Sequence, residues 1–244
     1  MGCAGHRVVH LGPGAPGVAQ DRPPPGHRLQ AARAAAPAHD GVGARDPHVP
    51  DVAGGAVGIR AQGLADLALI CQHVDVPVIG LWKDGHDGVF ITPTLTHAIA
   101  VAATGSQIVA LDGTRRPRPD GLSLAQTVEG LRAARPEVLI MADCGSLDDA
   151  KAAQDAGVDI LGTTLAGYTG ERPKTDGPDL ELVDQVAGIA EVPLVVEGRV
   201  HTPAQAAAAM EHGAFAVVVG TAITHPTTIT SWFTGALPGA LWKD

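Results

Sequence analysis

Three charged side chains stand at or near the ends of short apolar runs and could carry proton-transfer chemistry. They are Lys83, Asp143 and Glu197, the last within 192-VPLVVEGR-199. A lysine and a carboxylate on two sides of a small substrate can act as base and acid, because burial and neighbouring charge can bring the pKa of a lysine toward neutrality. The lysine could instead form a Schiff base, or it could belong to a structural salt bridge with Asp143 or Glu197. The residues alone leave these alternatives open.

The elements that would position these side chains follow a regular pattern after Gly54. Apolar, β-branched runs alternate with helix-like stretches, as expected for parallel strands buried on both faces. The helix-like stretches 146–157 and 202–213 each begin at Ser or Thr and end at Gly, which are typical capping residues. The seven runs are 56–61, 76–83, 107–114, 138–144, 159–165, 192–199 and 216–223.

Seven strands are one fewer than a closed TIM-type barrel needs, and a chain of 244 residues is close to the roughly 250 typical of that fold. We therefore predict an α/β fold, a TIM-type (β/α)8 barrel, with the first βα unit anomalous or missing. In such a barrel the C-terminal strand ends converge on one pocket. The residues to consider at or near those ends are Arg60, Lys83, Asp112, Arg115, Arg116, Asp143, Thr163, Thr164, Glu197, Arg199, Gly220 and Thr221.

Residues 1–53 differ in composition from the barrel domain predicted over 54–244. They contain no Lys, Glu, Ser, Thr, Ile or aromatic residue and are rich in Pro, Gly, Ala and Arg. Only Val8 to Leu11 resembles a strand, and such a composition buries little apolar area. One interpretation is a disordered tail that leaves the barrel open at a sheet edge. The other is a translation in a shifted reading frame.

Glycines near the ends of the last two predicted strands point to a phosphorylated ligand. Gly198 follows Glu197, and Gly220 and Thr221 end the final run. Loops after strands seven and eight of this fold often present backbone N–H groups to phosphate, and Arg199 could add charge-assisted contacts. The residues thus predict a barrel enzyme that moves a proton on a small phosphorylated substrate.

Composition excludes several other classes of protein. The formal net charge of −9 argues against binding to nucleic acid or to an anionic membrane surface. No apolar run approaches the roughly 18 residues of a membrane helix, and no signal-peptide pattern is present. The three cysteines form no metal-ligand spacing, and no cofactor motif occurs, so we expect no metal, no cofactor and a cytoplasmic location. Cys144 is expected to pack on a strand rather than act as a nucleophile.

The chain from about Gly54 to Leu237 resembles the N-acylglucosamine-6-phosphate 2-epimerases, also called N-acetylmannosamine-6-phosphate 2-epimerases, of bacterial sialic acid catabolism. The resemblance covers about three quarters of the chain, in family order and spacing. It is carried by 54-GGAVGIRAQG-63, 90-FITPT-94, 109-VALDGT-114, 116-RPRP-119, 141-MADC-144, 162-GTTLAGYT-169, 195-VVEGRV-200 and 217-VVVGTAIT-224.

The resemblance implies specific roles for residues of this chain. Lys83 would be the catalytic lysine and Glu197 its partner carboxylate in the inversion of C2 of the sugar phosphate. Substrate would be oriented by Arg60 and Asp143 and covered by Tyr168, which could equally pack under its loop. Phosphate would be held by Gly198, Arg199, Gly220 and Thr221.

The resemblance also has a gap, because the family's first strand carries a glutamine in a Ser-Cys-Gln-Ala stretch that residues 1–53 lack. Gln20 and Gln30 stand in no comparable context. An inactive relative that only binds sugar phosphate is therefore an alternative. A separate alternative is an aldolase that uses Lys83 as a Schiff base. The stretch 231-SWF-233 would belong to the core or to an interface, so a homodimer is also an open alternative.

Overall fold

A computed structural model of the chain describes residues 7–11 and 49–238, which form an eight-stranded barrel. The predictions that concern Gln20, Gln30 and the rest of 12–48 lie outside the described residues. The strands are β1 (Arg7–Leu11), β2 (Gly58–Gln62), β3 (Val78–Leu81), β4 (Ile108–Asp112), β5 (Leu139–Asp143), β6 (Ile160–Gly162), β7 (Leu194–Glu197) and β8 (Ala216–Val219). The predicted TIM-type fold is confirmed, and each of the seven predicted parallel strands is present.

Helices follow most of the strands and cover the outside of the barrel. They are α1 (Pro50–Ala53), α2 (Leu64–His73), α3 (Leu95–Ala102), α4 (Leu124–Ala134), α5 (Leu147–Asp155), α6 (Leu180–Ala187), α7 (Pro203–Glu211), α8 (Thr221–Thr224) and α9 (Pro226–Ala236). No helix among the described residues has the length and apolarity needed to cross a membrane.

Strand β1 lies where the first strand of a TIM barrel belongs, but it runs in the opposite direction. It pairs antiparallel with β2, with Val8 opposite Ile59, and antiparallel with β8, with Val9 opposite Val218. The remaining strand pairs from β2 to β8 are parallel. The first βα unit is therefore anomalous, as predicted. The open sheet edge expected beside it is filled by β1.

The barrel core begins slightly before the predicted domain boundary at Gly54. Helix α1 starts at Pro50, and Val52 is buried within the hydrophobic core that lies between the sheet and the helices. Pro50 stands in the first helical position, where the missing N–H of proline costs nothing. The predicted segment 1–53 thus ends in residues that pack with the barrel.

Helix caps agree with the sequence pattern. The Ser146 side chain accepts from the backbone N–H of Asp149, which fixes the start of α5. Thr202 and Gln205 form a reciprocal capping box at the start of α7, and Pro203 takes the first helical position. These caps fix the residue at which each helix begins after the preceding strand.

Two apolar layers alternate along each strand, and this alternation decides which polar groups reach the pocket. One layer fills the barrel interior and the other packs under the helices. Leu139 and Met141 of β5 belong to the interior layer, so Asp143, two residues further, points to the same side. Val195 of β7 places Glu197 on the interior side in the same way.

Candidate active site

Arg60 of β2 holds two buried carboxylates at the C-terminal mouth of the barrel. Its Nη2 lies 2.6 Å from Asp143 Oδ2, and its Nε lies 2.9 Å from Glu197 Oε2. The three side chains are exposed by only 1%, 0% and 3%. Buried charges persist when they are paired in this way. The structure thus brings together three of the residues that the sequence analysis assigned to the site.

Two adjacent threonines after β6 fix the position of Glu197. Thr163 Oγ1 donates to the Glu197 carbonyl at 2.9 Å and accepts from the Glu197 N–H at 3.1 Å. Thr164 Oγ1 lies 2.7 Å from Asp143 Oδ1 and 3.0 Å from Glu197 Oε2. Both threonines were expected at a strand end, but no role was predicted for them. The sequence did contain a signal for this role, because two adjacent threonines follow β6 and the next strand, β7, ends in Glu197.

Lys83 lies two residues beyond β3 and is exposed. Leu81 belongs to the interior layer, so the alternation of the extended chain directs position 83 to the same side at the barrel mouth. The backbone of Lys83 forms an antiparallel bridge with Ile91. The residue is thus directed toward the mouth by the chain, and it is exposed to solvent.

The bridge at Lys83 belongs to a hairpin that extends β3 and ends in the 90-FITPT-94 motif. The Asp84 N–H donates to the Phe90 carbonyl at 3.0 Å, and the Thr92 N–H donates to the Trp82 carbonyl at 2.7 Å. Thr92 is buried and has a left-handed φ of 45°, a conformation that its contacts must hold in place. The hairpin therefore fixes the backbone on which Lys83 stands.

Asp112, at the end of β4, forms a second buried carboxylate network beside Asp143. Asp112 pairs in register with Asp143, and its carboxylate accepts from the Thr114 hydroxyl at 2.6 Å and from Arg116 Nη2 at 2.8 Å. Burial raises the pKa of the Asp112 carboxyl, against the lowering effects of Thr114 and Arg116. Arg118 donates to the Asp112 carbonyl. Both arginines of 116-RPRP-119 thus hold the end of β4.

Arg199 fastens the long loop between β6 and α6. Its guanidinium donates to the carbonyls of Ala166 at 2.8 Å and Gly177 at 3.1 Å, and to Thr175 Oγ1 at 2.9 Å. It also lies 5.4 Å from the centre of the Tyr168 ring. Tyr168 is 52% exposed at the surface of this loop, so it is not packed beneath it.

The turns after β7 and β8 carry the glycines that the sequence analysis assigned to phosphate. Gly198 has φ of 105° and Arg199 has φ of 58°, two left-handed residues in succession. Gly220 precedes α8, where its carbonyl accepts from the N–H groups of Ile223 and Thr224 at 2.9 and 3.0 Å. Thr221 begins that short helix and is exposed.

Cys144 lies directly after β5 but away from the acid/base chemistry. It is buried, and burial together with the charges of Asp149 and Asp143 holds the pKa of its thiol well above the usual value. Such a thiol is a poor nucleophile. Its position agrees with the predicted packing role.

The mouth holds a fixed carboxylate pair with an arginine between the two carboxylates, and Lys83 lies two residues beyond the end of β3, in the neighbouring part of the barrel. These groups can take and give protons on a small substrate that enters from the C-terminal side. In the part of the chain that the structure describes, no group of three or more His, Cys, Asp or Glu side chains could hold a metal ion.

A barrel of this topology with acid/base groups at its C-terminal mouth is the arrangement of a TIM-barrel enzyme. The model of the NanE family, "Putative N-acetylmannosamine-6-phosphate epimerase", matches residues 49–238. This chain belongs to that family, whose name places it among the isomerases.

Individual relatives support the family assignment. A protein of Cutibacterium acnes with the corresponding 2-epimerase name is 59% identical over 187 residues, which cover 76% of this chain and 81% of the relative. A Corynebacterium glutamicum protein of the same name is 43% identical over 210 residues, covering 82% and 90%. A solved N-acetylmannosamine-6-phosphate 2-epimerase from Clostridium perfringens is 35% identical, with a TM-score of 0.74 over 78% of this chain and 82% of that one. These likenesses favour an epimerase over a relative that only binds sugar phosphate.

Proposed function

We propose that this chain interconverts N-acetylmannosamine 6-phosphate and N-acetylglucosamine 6-phosphate by inverting C2. The observation that carries the proposal is the Glu197 carboxylate held at the mouth by Arg60 and Thr164. Lys83, two residues beyond β3, is the proposed partner group. In the opened sugar C2 lies next to the aldehyde, which makes its proton acidic. Removal from one face and return on the other inverts this carbon.

Lys83 and Glu197 are the proposed acid/base pair. One group takes the C2 proton and leaves an enolate-like intermediate, and the other gives a proton to the opposite face. Lys83 reaches the opening from an exposed position, whereas Glu197 is buried at 4% exposure. Two such groups from different sides of the mouth suit a reaction that needs a proton donor and acceptor on opposite faces of one carbon.

Arg60, Asp143 and Tyr168 are proposed to orient the sugar. The Arg60 guanidinium is fixed by two carboxylates, and in this proposal it stabilises the negative charge that develops on the enolate-like oxygen. Asp143 is held by Arg60 and Thr164, so it can accept from a sugar hydroxyl without moving. Tyr168 stands on the adjoining loop and would cover the sugar from above.

The backbone turns at Gly198 and Arg199 and at Gly220 and Thr221 are proposed to hold the phosphate. Left-handed residues in succession turn backbone N–H groups toward one side, which suits an anion. The guanidinium of Arg199 is engaged with the loop after β6, so its support for phosphate is the nearby positive charge. These turns follow strands seven and eight, the usual phosphate position in this fold.

We further propose that the reaction needs no metal and no cofactor, and that it serves sialic acid and amino sugar catabolism in the cytoplasm. The carboxylates that could bind a cation are engaged by Arg60 and Thr164. The guanidinium supplies the positive charge that a metal would otherwise bring. A phosphorylated amino sugar is charged and stays within the compartment in which it is made.

A homodimer is the assembly that we propose. Helix α9 has no buried residue within the described chain, and large apolar side chains lie exposed on α8, α9 and the residue after it. Phe233 is 70% exposed and Trp232 is 37% exposed. Apolar surface of this kind on a soluble barrel commonly marks contact with another chain.

The direct test is product formation by the purified chain. N-acetylmannosamine 6-phosphate is incubated with the protein, and the two epimers are separated by anion-exchange chromatography. We expect conversion toward a fixed ratio from either epimer, and a loss of about 10²- to 10⁴-fold in the Glu197→Gln variant. Absence of conversion by folded protein would refute the proposed function.

A further inference from the structure

We propose that Thr164 is a positioning residue that keeps Glu197 ready for proton transfer, whichever protonation state that carboxyl has. The inference rests on the proposed acid/base role of Glu197. It gives a part in the reaction to a side chain outside the proposed acid/base pair.

The hydroxyl of Thr164 faces two carboxyl groups at once. Thr164 Oγ1 lies 2.7 Å from Asp143 Oδ1 and 3.0 Å from Glu197 Oε2. A hydroxyl has one proton to donate and lone pairs with which to accept. It therefore makes two good hydrogen bonds to carboxyl oxygens only when one of the two carboxyls carries a proton.

Arg60 contacts both carboxyl groups, with Nη2 2.6 Å from Asp143 Oδ2 and Nε 2.9 Å from Glu197 Oε2, so its charge does not distinguish them. The acid role proposed for Glu197 does: before the transfer Glu197 carries the proton and donates to Thr164 Oγ1, while Thr164 donates to Asp143 Oδ1 across 2.7 Å. This arrangement has Glu197 loaded as the acid.

Proton transfer changes the direction of one hydrogen bond without moving a heavy atom. When Glu197 gives its proton to C2, the hydroxyl of Thr164 can rotate about its Cβ–Oγ1 bond and donate to the new carboxylate. Asp143 keeps its contact with Arg60 throughout. The hydroxyl keeps its own proton, so the balance of the step is one proton from Glu197 to carbon, and the reverse step restores the first arrangement.

The surroundings keep Thr164 in this position. Thr163 ties β6 to the backbone of Glu197 through two hydrogen bonds. Gly162 leaves the room that the cluster needs, because a Cβ there would lie 2.5 Å from Met141 Cε and 3.2 Å from Asp143 Oδ1. Thr164 itself is only half-buried, so its other side faces the opening.

The experiment compares Thr164→Val, which has the same shape but no hydroxyl, with Thr164→Ser, which keeps the hydroxyl. Each epimer is incubated in D2O, and proton NMR follows both its conversion and the deuterium that enters C2 of the unconverted sugar. Thr163→Val is the matched control, because it removes hydrogen bonds to the backbone of Glu197 and leaves the carboxylate contacts. Thr164→Ala replaces the valine variant if that variant does not fold.

We expect Thr164→Val to convert both epimers about 10- to 100-fold more slowly than the wild type, with KM changed by less than about threefold. For the epimer that Lys83 deprotonates, deuterium should then enter C2 faster than the epimer is converted. Lys83 still removes and returns a proton on its own face, while Glu197 fails to deliver one to the opposite face. Thr164→Ser restores conversion to within about threefold of the wild type.

Two results would overturn the inference while leaving the proposed function intact. One is wild-type conversion rates in both Thr164→Val and Thr164→Ala. The other is an equal fall of exchange and conversion for both epimers that serine does not rescue, as a merely structural threonine would give. Wild-type protein that neither converts nor exchanges either epimer would refute the proposed function itself, and the inference with it.

Discussion

Arg60 Nη2 lies 2.6 Å from Asp143 Oδ2, and the two side chains are exposed by only 1% and 0%. An ion pair buried to this degree links β2 to β5 across the barrel interior. Removal of one partner leaves the other charge buried without compensation, which costs far more than an exposed pair contributes. Loss of this ion pair should therefore both lower the stability of the barrel and disturb the geometry of the candidate active site.

The first prediction concerns Arg60→Met. The change leaves Asp143 and Glu197 without the guanidinium, so we expect the free energy of unfolding to fall by about 3–5 kcal/mol. Epimerase activity should be lost in the same variant. Urea denaturation followed by circular dichroism gives the stability difference.

Arg132→Met is the control for the Arg60 variant. Arg132 lies 2.9 Å from Asp159 Oδ2, but its side chain is 30% exposed. We expect a smaller loss than in Arg60→Met, because a partly exposed pair is better solvated than a fully buried one when its partner is removed. If the free energy of unfolding fell equally in the two variants, burial would not be the reason that the Arg60 ion pair stabilises the barrel.

The second prediction separates catalysis from stability at Lys83. Because Lys83 is exposed, Lys83→Gln should leave the melting temperature unchanged while the epimerisation rate falls by about 10²- to 10⁴-fold. Lys151→Gln on α5 is the matched control, since Lys151 is also exposed and lies 3.7 Å from Asp148. An active Lys83→Gln variant would exclude Lys83 as the catalytic base.

The third prediction concerns the effect of pH through Asp112. Burial raises the pKa of this carboxyl in the folded state above its ordinary value of 3.8. The folded chain then binds the proton more tightly than the unfolded chain, so Asp112 contributes stability that is present below pH 3.8 and is lost as pH rises through the raised folded-state value.

Thermal melts of the wild type and of Asp112→Asn test this sign. We expect the wild-type melting temperature minus that of the variant to fall as pH rises from 3.8 through the raised folded-state pKa. A difference that grows with pH would mean that Arg116 and Thr114 stabilise the ionised carboxylate by more than burial destabilises it.

The fourth prediction concerns the loop that Arg199 fastens. Arg199→Met removes hydrogen bonds to Ala166, Thr175 and Gly177, so the loop should open more often. Chymotrypsin, which cuts after Tyr168, should then cleave the native chain there about 10-fold faster or more. Lys174→Met removes the other cation near the Tyr168 ring and serves as control. Unchanged cleavage in Arg199→Met would refute the fastening role.

The fifth prediction tests the proposed homodimer. Phe233→Ser places a polar group on the exposed apolar surface of α9, so it should shift sedimentation toward the monomer. Leu69→Ser on α2 is the control, because Leu69 is 59% exposed and lies on a different helix. A wild-type chain that sediments as a monomer would refute the dimer.

Much of the barrel was predictable because parallel strands buried on both faces leave a simple pattern. The run 138–144 contains β5, and Ser146 and Thr202 mark the helix starts where the structure has them. Composition also indicated that the first unit is anomalous. The direction of β1 was not predictable, because a five-residue strand reads the same in either orientation and its pairing depends on distant partners.

The candidate site was predictable in its charged members and less so in their contacts. Arg60, Asp143 and Glu197 stand at strand ends, and barrel closure alone brings strand ends together. The role of Thr164 depends on side-chain distances across two strands, and the three hydrogen bonds of Arg199 depend on the path of a long loop. Neither follows from residue spacing along the chain.

Proton NMR of the purified wild-type chain with N-acetylmannosamine 6-phosphate in D2O is the measurement that tests the central claim most directly. It reports product and proton transfer at C2 in one sample. The account predicts N-acetylglucosamine 6-phosphate with deuterium at C2. Product that retains the original proton, or folded protein that causes neither conversion nor exchange, would contradict it.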